Sequence, residues 1–221
     1  MSSIFLVEAA SQYLLASTFL RFSEFSENIF FRDKLFTLEE FADWYADKFG
    51  KFSYYEDWTG FNIPSRILEP FLRGDFDPLN RKERRFLDIW NCVPKPFYII
   101  GVQAGKIDLP TLKHEIIHGL FNTNHEYKSI VEKELADMNC NNIHAALENA
   151  TYHKSVWIDE TNAYAICGAS GLIEDGLNLS SFLPVKKIAR KVFRNFFGFD
   201  MVNASMDKVL GLVHRIPFGT C

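Results

Sequence analysis

The segment that most restricts what this chain can fold into is DLPTLKHEIIHGLF, residues 108–121. It predicts a single helix. Asp108 is a candidate N-cap, and Pro110 sits in the first turn, where a missing backbone N–H is tolerated. Ile116, Ile117 and Leu120 have to be buried, because a charge at 116 or 117 would sit in the core. Residues four apart lie on one helix face with Cβ atoms about 6 Å apart. Burying the apolar side therefore holds His114 and His118 rigidly in one common direction.

Two imidazoles so placed can converge on one zinc ion at about 2.0–2.1 Å. Glu115 is turned about 100° from His114, so it stands beside such an ion rather than aiming at it. A carboxylate there can take a proton from water activated by the metal. The stretch resembles the extended HExxH signature of the zincin metallopeptidases at every position: Thr111 and Leu112 before it, Ile116 and Ile117 within it, Gly119 and Leu120 after it. The resemblance implies one Zn2+, peptide-bond hydrolysis, and Glu115 as the general base.

A catalytic zinc ordinarily takes three protein ligands and leaves a fourth place open. His125 lies seven residues beyond His118, one off the metzincin spacing, and Phe121 stands where that pattern needs glycine. Glu160, in WIDETNAYA, fits better. Gluzincins supply a glutamate from a second helix, and Glu160 follows His118 by 42 residues. Ala163 and Tyr164 share its helix face; a small Ala163 lets the two helices approach, and Tyr164 can direct a hydroxyl at a developing oxyanion. One gluzincin pattern has aspartate where Tyr164 stands, so the resemblance is to the broad class. Asp159 is the next choice as ligand after Glu160, and both are also what a helix N-terminus favours electrostatically. His144 and His153 have no partner spacing and are expected in the core or on the surface. Tyr127 is expected to be structural.

The expected fold is α+β, predominantly helical and zincin-like. A helix is expected over the apolar N-terminal run around Phe5–Phe19. Another, 37–50, opens with a Thr37/Glu40 capping box and ends at Gly50. Short helices are expected over 62–74, broken by Pro70, and over 80–91. PFYIIGVQ, residues 96–103, has strand composition. In zincins such a strand forms the upper rim of the cleft, so an edge strand near 97–103, open to peptide by strand addition, is expected just before the metal-binding helix. Further helices are expected over 125–148, from about 157, and over 186–197, the last with a basic face formed by Lys186, Lys187, Arg190, Lys191 and Arg194. Residues 1–221 are expected to form one domain, with a helical N-terminal lobe over 1–92 and the zinc-binding part over 93–221.

Composition bounds the partners. Hydrophobic content of 48% and charged content of 24% are those of a globular protein, and a net charge of −4 gives no reason to expect nucleic acid. Glu8 interrupts the N-terminal apolar run and no basic segment precedes it, so neither a signal peptide nor a membrane span is expected. Cys92, Cys140, Cys167 and Cys221 form no C-x-x-C pair, which fits reduced thiols and a cytoplasmic location; secretion by another signal stays open. Two alternatives share the same residues. One is a metal-dependent hydrolase of a small amide. The other is a non-catalytic, zinc-stabilised interaction module, in which a fourth protein ligand such as His125 closes the site.

Overall fold

A computed structural model of the protein describes residues 3–150 and 152–219. The fold is α+β and predominantly helical, with one small mixed sheet. The chain forms two compact units: Met1–Ile107 with Val213–Cys221, and Asp108–Leu212. The division between the units falls after the strand Tyr98–Gln103, and the C-terminal segment returns to the first unit.

The first unit contains β1 (Ile4–Ala9), α1 (Gln12–Glu27), α2 (Leu38–Phe49), α3 (Tyr54–Asp57), β2 (Gly60–Pro64), α4 (Glu69–Leu72), α5 (Arg81–Trp90), β3 (Tyr98–Gln103) and β4 (His214–Phe218). The strands are ordered β2-β3-β1-β4. β1 runs parallel to both β3 and β4, with Leu6 opposite Ile100 and Arg215, while β2 is antiparallel to β3.

Two expectations are corrected here. Residues 4–9 are a central strand, not the start of a helix. The helix begins only at Gln12, where the Ser11 hydroxyl accepts a hydrogen bond from the Leu14 N–H at 3.1 Å. The strand at 97–103 is not an edge. β3 is paired on both sides, so its backbone is committed to the sheet and cannot take up a peptide. The unbroken apolar run Phe97–Ile100, all buried, is what an interior strand requires. Pro70 opens the short α4 rather than breaking a longer helix.

α1 lies across β2 and β3. Gly101 of β3 permits this: a Cβ there would lie 2.7 Å from the Phe19 ring. Phe19, Phe22, Phe41, Phe71, Phe86 and Trp90 are fully or almost fully buried in this core. Within it Arg21 donates to both carboxylate oxygens of Glu83, at 2.7 and 2.5 Å, and to the Phe76 carbonyl.

The second unit contains α6 (Leu109–Thr123), α7 (His125–Ala136), α8 (Asn141–Asn149), α9 (Trp157–Cys167), α10 (Leu179–Phe197) and α11 (Met206–Leu210). The single helix expected over 125–148 is two, interrupted at 137–140. α10 starts at Leu179, capped by Asn178, well before residue 186. α9 packs against α6, α7, α8 and α10 and so organises the unit. Among the described residues no helix is long and apolar enough to cross a membrane. Cys92, Cys140 and Cys167 are free thiols; Cys221 lies outside the described residues.

Candidate metal centre

α6 is built as its sequence predicts. The Asp108 carboxylate accepts from the Thr111 N–H at 2.9 Å and its hydroxyl at 2.6 Å, and Pro110 occupies the first turn. Leu112, Ile116, Ile117 and Phe121 are buried. That anchoring leaves His114 and His118 side by side, Nε2 to Nε2 at 3.0 Å. α9 brings the third group. Ala163, fully buried, keeps the contact face small, and Glu160 Oε2 lies 3.6 Å from each imidazole Nε2.

Three donor atoms separated by 3.0, 3.6 and 3.6 Å lie on a circle of radius about 2.0 Å, which is the bond length zinc makes to nitrogen and oxygen. These three residues are the one group of metal-ligating side chains of this kind among the described residues. They can hold a metal ion. Two further observations fit that occupancy. The Oε2 atoms of Glu160 and Glu115 are buried and have no hydrogen-bond partner, and a buried carboxylate oxygen left unpaired is costly. The local charge is also one-sided, with Glu115, Asp159 and Glu160 facing two imidazoles.

That field is visible in the proton affinities. Burial pushes His118 down, but Asp159, Glu160 and Glu115 outweigh it and hold the imidazole well above the ordinary histidine value. A proton on His118 answers the same negative field that a divalent cation answers. Burial pushes Glu160 up, yet the charge of His118 and the facing His114, each 3.6 Å from its Oε2, bring it below the ordinary carboxylate value. Glu115 is raised by burial, which the imidazoles only partly offset.

Asp159 has a different place from Glu160. Its Oδ1 accepts from His118 Nδ1 at 2.8 Å, and its Oδ2 accepts from Asn122 Nδ2 at 2.8 Å. It therefore orients His118 from the far side of the ring and leaves Nε2 free to bind a metal. Asn122 also donates to the His118 carbonyl at 2.9 Å. The sequence reading did not single out Asn122. Its position four residues after His118, on the ligand face, was the available signal.

His125 is exposed and opens α7. Asn124 ends α6 and caps α7, accepting from the Tyr127 N–H at 3.0 Å, so the chain turns directly after α6. Tyr127 is buried and its hydroxyl donates to Asn162 Oδ1 at 3.2 Å. His144 packs its ring 5.0 Å from Trp157, and His153 is exposed.

The Tyr164 ring lies edge-on to His114, centroids 4.7 Å apart. Its hydroxyl is 3.1 Å from that of Tyr152. Tyr152 had no sequence signal. It comes from the segment before α9, held there by the Trp157 Nε1–H bond to its carbonyl at 3.0 Å.

Comparison with protein-family models, with curated proteins and with solved structures gave no match to this chain.

Proposed function

We propose that the protein is a zinc-dependent metallopeptidase of the gluzincin type. The observation that carries this reading is the convergence of His114, His118 and Glu160 on one point about 2.0 Å from each donor, with the unpaired Glu115 carboxylate next to the first ligand. Two nitrogen donors and one carboxylate oxygen suit zinc, and three protein ligands leave a position for substrate or water. A closed, purely structural site would need a fourth protein ligand, and the exposed His125 does not join the cluster.

Bound zinc supplies Lewis acidity, lowering the pKa of water and polarising a carbonyl. The side chains do the rest. Glu115, with its proton affinity raised by burial, takes a proton from the attacking water and returns it to the leaving amine. Tyr164, beside His114, donates a hydrogen bond to the developing oxyanion. Asp159 and Asn122 fix the tautomer and orientation of His118.

The test is Glu115→Gln in zinc-loaded protein, assayed on a mixture of unstructured peptides by mass spectrometry. The proposal expects wild type to cleave peptide bonds, and the variant to keep its zinc and lose turnover by at least about 10²-fold. Equal cleavage by both, or zinc-loaded wild type that cleaves none of the peptides, overturns it.

A further inference from the structure

The proposed reaction leaves one hydroxyl beside Tyr164 without a task, that of Tyr152. It lies 3.1 Å from the Tyr164 hydroxyl, and the two rings are close to perpendicular with centroids 6.4 Å apart. Both residues are half-buried. The backbone of Tyr152 is held without help from its side chain. Its N–H donates to the Leu147 carbonyl at 2.9 Å, and its carbonyl accepts from the Trp157 indole N–H at 3.0 Å. Leu147 is fully buried in the last turn of α8, and Trp157 opens α9. The Tyr152 hydroxyl is therefore not what fixes this segment in place.

A phenol has one proton to donate and lone pairs to accept with. A bond between two phenols uses one of their two protons, so its direction decides which residue keeps a proton to give elsewhere. If Tyr164 donated to Tyr152, it could not also donate to an oxyanion. If Tyr152 is the donor, the Tyr164 proton is left over and points away from Tyr152. Accepting one hydrogen bond also polarises a hydroxyl and makes its own proton a better donor. Tyr164 is well placed to use that proton. Its ring lies against His114, centroids 4.7 Å apart, and it follows Glu160 by one helical turn, so it flanks two of the three candidate ligands.

We propose that Tyr152 is a positioning residue of the hydrolysis: its hydroxyl donates to that of Tyr164 and keeps the Tyr164 proton free for the developing oxyanion. The inference rests on the metallopeptidase reading. Tyr152 itself touches neither substrate nor metal; it acts only through Tyr164.

The test is a double-mutant cycle of Tyr152→Phe and Tyr164→Phe in zinc-loaded protein. It is read by peptide cleavage and, independently, by calorimetric affinity for a phosphinic analogue of the best-cleaved peptide, whose tetrahedral phosphinate imitates the oxyanion. Tyr164→Phe is expected to lower kcat by about 10²-fold or more. Tyr152→Phe is expected to lower kcat about five- to tenfold with KM unchanged, and to weaken phosphinate binding by a similar factor. In the Tyr164→Phe background the same substitution should change neither quantity. Zinc content checks that the metal centre is kept. A purely structural Tyr152 would cost the same factor in both backgrounds. That additivity, or wild-type kcat and phosphinate affinity in either single variant, overturns the inference and leaves the metallopeptidase reading standing. Zinc-loaded wild type that cleaves none of the peptides overturns both.

Discussion

At the scale of single residues, the site depends on how two carboxylates next to each other in sequence are used. Glu160 faces the imidazole nitrogens and Asp159 reaches behind His118. Removing an orienting group of this kind ordinarily costs 10- to 100-fold in metal affinity. Asp159→Ala is therefore expected to weaken zinc binding by about that factor in a competition titration with a chelator, with Glu160 still present as ligand. Glu115 gives a prediction of the opposite sign. Its buried Oε2 has no partner, so in the metal-free protein Glu115→Gln should raise stability by about 1–2 kcal/mol at neutral pH. The folded carboxyl holds its proton to higher pH than the unfolded one. The wild-type fold thus loses stability as pH rises through that raised value, and the advantage of the variant should grow from pH 4 to pH 7 in denaturant titrations. The residue types and spacing of the candidate ligands were legible in the sequence because one helix face carries two of them. The place of Asp159, ranked in the sequence only as the next choice after Glu160, was not, because its bond to His118 Nδ1 depends on which side of the ring each carboxylate reaches.

At the scale of elements, local signals were legible and distant pairings were not. The Thr37/Glu40 box, the Asp108 cap and the left-handed Gly50 are all found where the sequence placed them. Each involves atoms only a few residues apart. β1 has no such signal. Its partners are residues 98–103 and 214–218, and a short, mostly apolar segment such as Ile4–Ala9 reads equally well as the first turns of a helix. β4 was missed for the same reason. The interior position of β3 likewise depends on strands far away in the chain. The packing of α1 on this sheet has its own test. Gly101→Ala drives a methyl into the Phe19 ring, which is itself held between Phe61 and Phe86 at 5.4 and 4.7 Å. The ring has nowhere to go, and a loss of about 1–3 kcal/mol is expected in chemical denaturation.

At the scale of the whole molecule, chemistry and bulk are divided between two units. The aromatic core and the sheet belong to Met1–Ile107 with Val213–Cys221, while every residue assigned to the metal centre lies within Asp108–Leu212. A ligand that binds only the folded form stabilises it by about 4 kcal/mol at a thousandfold excess over its dissociation constant. Zinc should accordingly slow hydrogen exchange in α6 and α9, the two helices that carry the ligands. The most direct examination of the central claim is X-ray absorption spectroscopy at the zinc edge on protein carrying one equivalent of metal. The account predicts a first coordination sphere of nitrogen and oxygen at about 2.0–2.1 Å, with outer-sphere scattering from two imidazoles that falls to one in His118→Ala. Sulfur scattering at about 2.3 Å, or a spectrum unchanged by losing His118, would contradict it.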